Sequence, residues 1–160
     1  MALHAKRIGL ISDTHGLLRP EAVAALRGSE LILHAGDVGK PEVLEELRKI
    51  APVIAIRGNV DSAPWSQVLK ETEVVETGGA TIFMLHNLGD LDLNPAAARF
   101  QIVLYGHSHK PSCSEKNGVL YVNPGSAGPR RFGLPVTVGR LDLSPSPWKF
   151  QLISLNSDGR

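Results

Sequence analysis

Gln101-Ile102-Val103-Leu104-Tyr105 runs straight into Gly106-His107-Ser108-His109. The first part is a short apolar run closed by a glycine, the pattern of a buried strand. Two histidines two positions apart, just past such a strand, aim both imidazoles into one cleft. Loops at the carboxyl ends of strands are where open α/β sheets bind ligands. Working outward, Asp13-Thr14-His15, Gly36-Asp37, Gly58-Asn59 and His86-Asn87 each follow an apolar run in the same way.

The rest of the chain explains how such loops come together. Arg7 to Ser12, Leu31 to His34 and Val53 to Ile56 read as strands of a parallel sheet, continuously apolar because both faces are covered. Between them, Pro20 and Pro41 open helices whose apolar residues recur at helical spacing: Ala22, Val23 and Leu26, then Val43, Leu44, Leu47 and Ile50. The pattern then turns β-rich. Gly78-Gly79 and Asn117-Gly118 are hairpin signals between strand-like runs. Asn94-Pro95 predicts a capped short helix over 96–100. Val136 to Leu143 and Trp148 to Leu155 read as a last antiparallel pair. The expected architecture is a βαβαβ half and a β-rich half, packed as two sheets with helices outside.

The chain of 160 residues suits one domain over 1–160 with a sizeable core. Hydrophobic content of 42% and charged content of 21% are ordinary for a globular protein. A net charge of +1 argues against an extended nucleic-acid surface, though not against a small phosphate-ester substrate. No apolar run is long enough to span a bilayer, and residues 1–7 lack the features of a signal peptide, so the expectation is a cytoplasmic protein without membrane association. A homo-oligomer is compatible with this composition. Cys113 is the single cysteine, which rules out an internal disulfide. Trp65 and Trp148 read as packing or interface residues, and His4 as surface.

Asp13, His15, Asp37, Asn59, His86, His107 and His109 together form a ligand set suited to two divalent metals. Two metals ~3.5–4 Å apart form a clamp on the attacking and leaving oxygens of a displacement. Mixed Asp, Asn and His ligation suits Mn, Fe, Zn or Ni better than Mg or Ca; Mn is the leading expectation, with Ni, Fe, Zn and Mg as alternatives.

In order, Asp13-X-His15, Gly36-Asp37, Gly58-Asn59, His86 and Gly106-His107-Ser108-His109 resemble the motif series of calcineurin-like metallophosphoesterases. The resemblance spans residues 7 to about 131. The short chain and Asn123-Pro124-Gly125-Ser126 look most like the small phosphodiesterase branch of YfcE/MJ0936 type. It implies an α/β/β/α four-layer sandwich with mixed sheets. It implies that Asp13, His15, Asp37 and His109 hold one metal and Asp37, Asn59, His86 and His107 the other, with Asp37 bridging. It further implies a phosphodiesterase in which Asp37, Asn59 and His86 act through a water activated by the two metals. Alternatives are a phosphomonoesterase or phosphoprotein phosphatase, and a non-catalytic scaffold like the retromer subunit Vps29.

This sequence departs from the family where many members carry a histidine after the Gly-Asn pair, a residue thought to contact phosphate or protonate the leaving group. Val60 stands there, followed by Asp61. Asp61, read as an exposed carboxyl, is the candidate substitute. His34, inside a strand run, is expected to orient a ligand rather than be one. Ser126 either lines the cleft or belongs to a plain turn. Arg130 and Arg131 either reach a phosphate or remain solvated.

Overall fold

The computed structural model describes residues 3–155. The first sheet contains β1 (Arg7–Ile11), β2 (Leu31–His34) and β3 (Val53–Ala55), all parallel, extended antiparallel by β9 (Thr137–Asp142) and β10 (Lys149–Ser154); its order is β10-β9-β1-β2-β3. The second sheet contains β4 (Thr72–Thr77), β5 (Ala80–Leu85), β6 (Ile102–Leu104), β7 (Ser112–Lys116) and β8 (Val119–Asn123), in the order β4-β5-β6-β8-β7. Here β5, β6 and β8 are parallel and the edge strands antiparallel. The C-terminal pair therefore returns to the first sheet, so the sheets do not divide the chain into halves as the sequence pattern suggested. At the β7–β8 hairpin, Asn117 and Gly118 both take positive φ, as a two-residue turn of this kind requires.

Alternation along the strands separates three apolar layers. Ile8, Leu10, Leu31, Leu33 and Leu141 meet Val75, Ile82, Met84, Ile102, Leu104 and Val122 between the sheets. On the outer face of the first sheet, Ile11, Ile32 and Val138 pack under α1 (Pro20–Leu26) and α2 (Pro41–Arg48), which bury Ala22, Leu26, Val43, Leu44 and Leu47. Phe83, Leu85, Val103 and Val119 form the third layer on the outer face of the second sheet. What covers that layer is thin: a 3-10 turn at Leu88–Asp90 and the turn that follows Asn94. The Asn94 side chain caps that turn through the Ala96 and Ala97 amides as expected, but no regular helix follows over 96–100. Trp148 packs on the inter-sheet core and Trp65 under the helical layer.

Register fixes where the loops emerge. Ile11 pairs with His34 and His34 with Ala55, while Met84, Leu104 and Val122 align across β5, β6 and β8. The carboxyl ends of these six parallel strands thus lie at one end of their sheets. Asp13, Asp37, Asn59, His86 and His107 all follow those ends. Asp13 N donates to Gly36 O, His15 N to Asp37 O and Gly106 N to His86 O, stitching neighbouring loops together.

Candidate metal centre

Five of the seven candidate ligands, Asp13, His15, Asp37, His107 and His109, have φ between 47° and 71°. A left-handed backbone costs a non-glycine residue roughly 1 kcal/mol or more, and Asp, Asn and His are the types that adopt it most readily. The loops turn so sharply that side chains of both sheets point to a single spot. Two glycines permit the close approach: a Cβ on Gly58 would collide with the Asp37 carboxylate, and one on Gly106 with the Ser12 hydroxyl.

Asp13 is fully buried. Its Oδ2 accepts from Ser12 Oγ at 2.6 Å and from the His107 amide at 3.1 Å. That leaves Oδ1 facing His109 Nε2 at 3.3 Å and the Nε2 atoms of His15 and His86 at 3.7 Å each. Asp37 is arranged likewise. Its Oδ1 accepts from the Val60 amide at 3.0 Å, and its Oδ2 stands 3.1 Å from His86 Nε2 and 3.8 Å from His15 Nε2. His86 Nδ1 donates to Ala35 O at 2.8 Å, which in the neutral ring turns a bare Nε2 lone pair toward the carboxylates. His107 Nδ1 lies 3.2 Å from Asn59 Oδ1 on the open side.

Asp13 Oδ1, His15 Nε2, His86 Nε2 and His109 Nδ1 are buried without a hydrogen-bond partner. Buried polar atoms are almost always paired, and exceptions signal an ion or water. Their types, carboxylate oxygen and imidazole nitrogen, fit a borderline divalent metal. Two groups have the reach to hold an ion: Asp13, His15 and His109, and Asp13, Asp37 and His86. Asp13 is common to both, while Asp37 Oδ2 spans His15 and His86, so both carboxylates reach across the centre. His107 lies outside both groups, beside Asn59.

Electrostatics keep the carboxylates charged. Burial pushes Asp13 upward, but the neighbouring His15 imidazole, the charges of His86 and His109 and the Ser12 hydroxyl hold it below the ordinary range. Burial also pushes Asp37 upward and is outweighed by His86 and the Val60 amide. His86 moves the other way: burial lowers it, while Asp37 and Asp13 raise it above its ordinary value. His109 is lowered by burial, against the pull of Asp13.

The remaining sequence candidates have other work. His34 is fully buried; its Nδ1 accepts from the Gly36 amide at 3.1 Å. Its Nε2 lies 3.0 Å from Thr14 Oγ1, which donates to Val38 O. With that proton committed, His34 Nε2 is the donor, and the neutral ring ties the first ligand loop to the second. Burial lowers its pKa from 6.5 to about 4. Asp61 is not an exposed carboxyl. It is buried, and it accepts from the Val38, Gly39 and Gly58 amides at 3.0 Å each, a clasp between the second and third loops. Having both oxygens held by N–H donors removes it as a proton donor to a leaving group. Ser126 is buried and donates to Asp13 O at 3.1 Å, so it supports the backbone of a ligand. Arg131 is exposed, and its charge lowers the pKa of His109, which places it near the centre. Arg130 is also exposed.

Sequence reasoning missed Ser12 and Thr14, and left the role of Asn123 open. Asn123 Nδ2 donates to Gly106 O and Ser108 Oγ at 3.2 Å each, holding the His107–His109 loop from β8. The available signal was adjacency: hydroxyls flanking Asp13, and an Asn-Pro-Gly turn closing a strand.

Residues 7–146 match the calcineurin-like phosphoesterase superfamily domain. A protein of Methanothermobacter thermautotrophicus named "Probable metallophosphoesterase" is 36% identical over 148 residues, 84% of this chain and 86% of the relative. "Phosphodiesterase YfcE" of Escherichia coli K12 is 32% identical over 161 residues, covering 82% of this chain and 84% of the relative. The crystal structure of Chaetomium thermophilum Vps29 shares the fold with a TM-score of 0.79 at 22% identity, covering 94% of this chain and 89% of that one. With a matching domain over most of its length and these relatives, the chain belongs to the calcineurin-like phosphoesterase superfamily.

Proposed function

We propose that this protein is a phosphodiesterase dependent on two divalent metals, with Mn the leading candidate. The observation that carries the reading is the convergence of Asp13 Oδ1, His15 Nε2 and His86 Nε2, buried atoms without a hydrogen-bond partner, with His109 Nε2 3.3 Å from the first. Asp13, His15, Asp37 and His109 would hold one ion, and Asp37, Asn59, His86 and His107 the other. When bound, such ions offset the charge on phosphoryl oxygens and acidify a water to the point where it acts near neutral pH. The chain's part is to keep Asp13 and Asp37 ionised, to fix the His86 tautomer through Ala35, and to hold the loops with His34, Asp61 and Asn123. The relatives named phosphodiesterases support the diester reading.

Val60 is 49% exposed beside Asp37, to which only its amide is bonded. A valine side chain supplies no proton, and Asp61 is committed to amides. General acid catalysis is worth typically ~10²–10⁴-fold, most for alkoxide leaving groups. Activated aryl diesters should therefore be hydrolysed well and simple alkyl diesters poorly, with a steep dependence on leaving-group pKa. A flat dependence, with chemistry rate-limiting, would show a proton donor elsewhere.

The test of function is a panel of aryl monoesters and diesters assayed on metal-stripped protein after addition of Mn, Ni, Mg or Zn. Restored hydrolysis of diesters above monoesters is expected. Monoester preference would make it a phosphomonoesterase. Metal binding without hydrolysis would favour a scaffold, and full activity after verified metal removal would refute the metal reading.

A further inference from the structure

A groove of about 430 Å³ opens from the Asn59, His86 and His107 side of the centre and runs along the outer face of the second sheet. It exists because the layer over that face is thin: Phe83 and Leu85 form its floor and Leu91 a wall. His86, only 6% exposed and with a partnerless Nε2, lines its inner end. A substrate whose phosphoryl group lay at the proposed metal centre would place one of its alcohols in this groove.

The charge of this groove is uneven. Arg57 is the one cationic side chain other than histidine that lines it, and its guanidinium is already engaged by Glu71 and Gln67 at 3.2 Å each. Asp90 and Asp92 line the groove as well, both exposed, and among the described residues neither forms an ion pair with a Lys or Arg. The Arg57–Glu71 pair is neutral overall, so the net charge around the alcohol is negative and lies over an aromatic and aliphatic floor. A second phosphate or carboxylate is repelled there. A quaternary ammonium or protonated amine is attracted by the carboxylates, above a floor in which the Phe83 ring is stacked on Phe100.

We propose that the groove is a specificity subsite for a positively charged alcohol, so that the preferred substrates are diesters of amino or choline type rather than diesters carrying further anionic groups. Its binding arm rests on the metal centre of the proposed function, and its catalytic arm on the phosphodiesterase reading as well. In that arm water adds to phosphorus, the P–O bond to the aryl group breaks, and p-nitrophenolate departs with the electron pair while the water proton passes to solvent.

Two measurements on the Mn-loaded protein test it. Calorimetric titration with phosphorylcholine, ethyl phosphate and phosphoglycolate should rank them in that order, with phosphorylcholine bound roughly 5–10-fold more tightly than ethyl phosphate. In the double variant Asp90→Asn/Asp92→Asn that ratio should fall toward one, while Glu42→Gln/Glu45→Gln on the far helical layer keeps it. The ratio of kcat/KM for p-nitrophenyl phosphorylcholine over ethyl p-nitrophenyl phosphate should follow the same pattern. Equal affinities, a preference for phosphoglycolate, a ratio unmoved by the Asp variants, or no binding of any ester would each overturn the subsite. Turnover of both diesters at equal efficiency would overturn it while leaving the phosphodiesterase reading intact. A binding preference without turnover would do the reverse.

Discussion

The two sides of the centre are built differently. On the Asp13, His15 and His109 side, Asp13 and His109 are buried, and backbone and hydroxyl donors clamp the loops. On the Asn59 and His107 side both residues are exposed and face the groove. A charged, desolvated, prearranged ligand set holds an ion firmly; a neutral amide and an exposed imidazole hold one loosely. On the two-metal proposal the closed side would be the anchor and the open side the exchangeable, substrate-facing one, with Asp37 between them.

The strongest way to break this contrast is to remove one of the two carboxylates that reach across the centre. Asp37→Ala should lower diester turnover by at least ~10³-fold, more than the loss of a single electrostatic donor, and metal analysis should find both ions depleted. Two ions retained would mean that the halves are independent.

Beneath both sides lies His34, and its neutrality makes the floor pH-sensitive. Its folded pKa of about 4 lies below the ordinary 6.5, so the unfolded chain takes up a proton that the folded chain refuses. This stability is fully present above pH 6.5 and is lost as pH falls through the interval down to about 4. The loss amounts to roughly 3 kcal/mol. On metal-stripped protein, denaturant unfolding of His34→Gln should lack that part of the acid destabilisation. Parallel pH profiles for both proteins would show that His34 does not contribute.

Much of the fold was legible because long apolar runs and proline-opened helices are local signals. The ligand loops were legible because each places a donor just past a strand. What stayed hidden depends on distance in sequence. The return of β9 to pair with β1 is not encoded in any one segment. Asp61 looked exposed because it follows Val60 in a polar loop, yet three amides from two loops bury it. The expected helix over 96–100 had its cap and first-turn proline but too few residues to propagate beyond one turn.

A finer test separates the sides. Ser12→Ala removes a hydrogen bond to Asp13 and should weaken metal binding on the closed side by ~10–100-fold. Asn59→Ala should weaken only the open side, and excess Mn should restore part of its turnover. Metal titration monitored calorimetrically resolves the two; identical effects from both variants would erase the distinction.

The most direct test is a crystal of the Mn-loaded protein measured for anomalous scattering at the Mn edge. The account predicts two peaks per chain, one on each side of the Asp37 carboxylate, the first among Asp13, His15 and His109 and the second beside Asn59, His86 and His107. One peak, or two peaks with Asp37 coordinating neither ion, would contradict it.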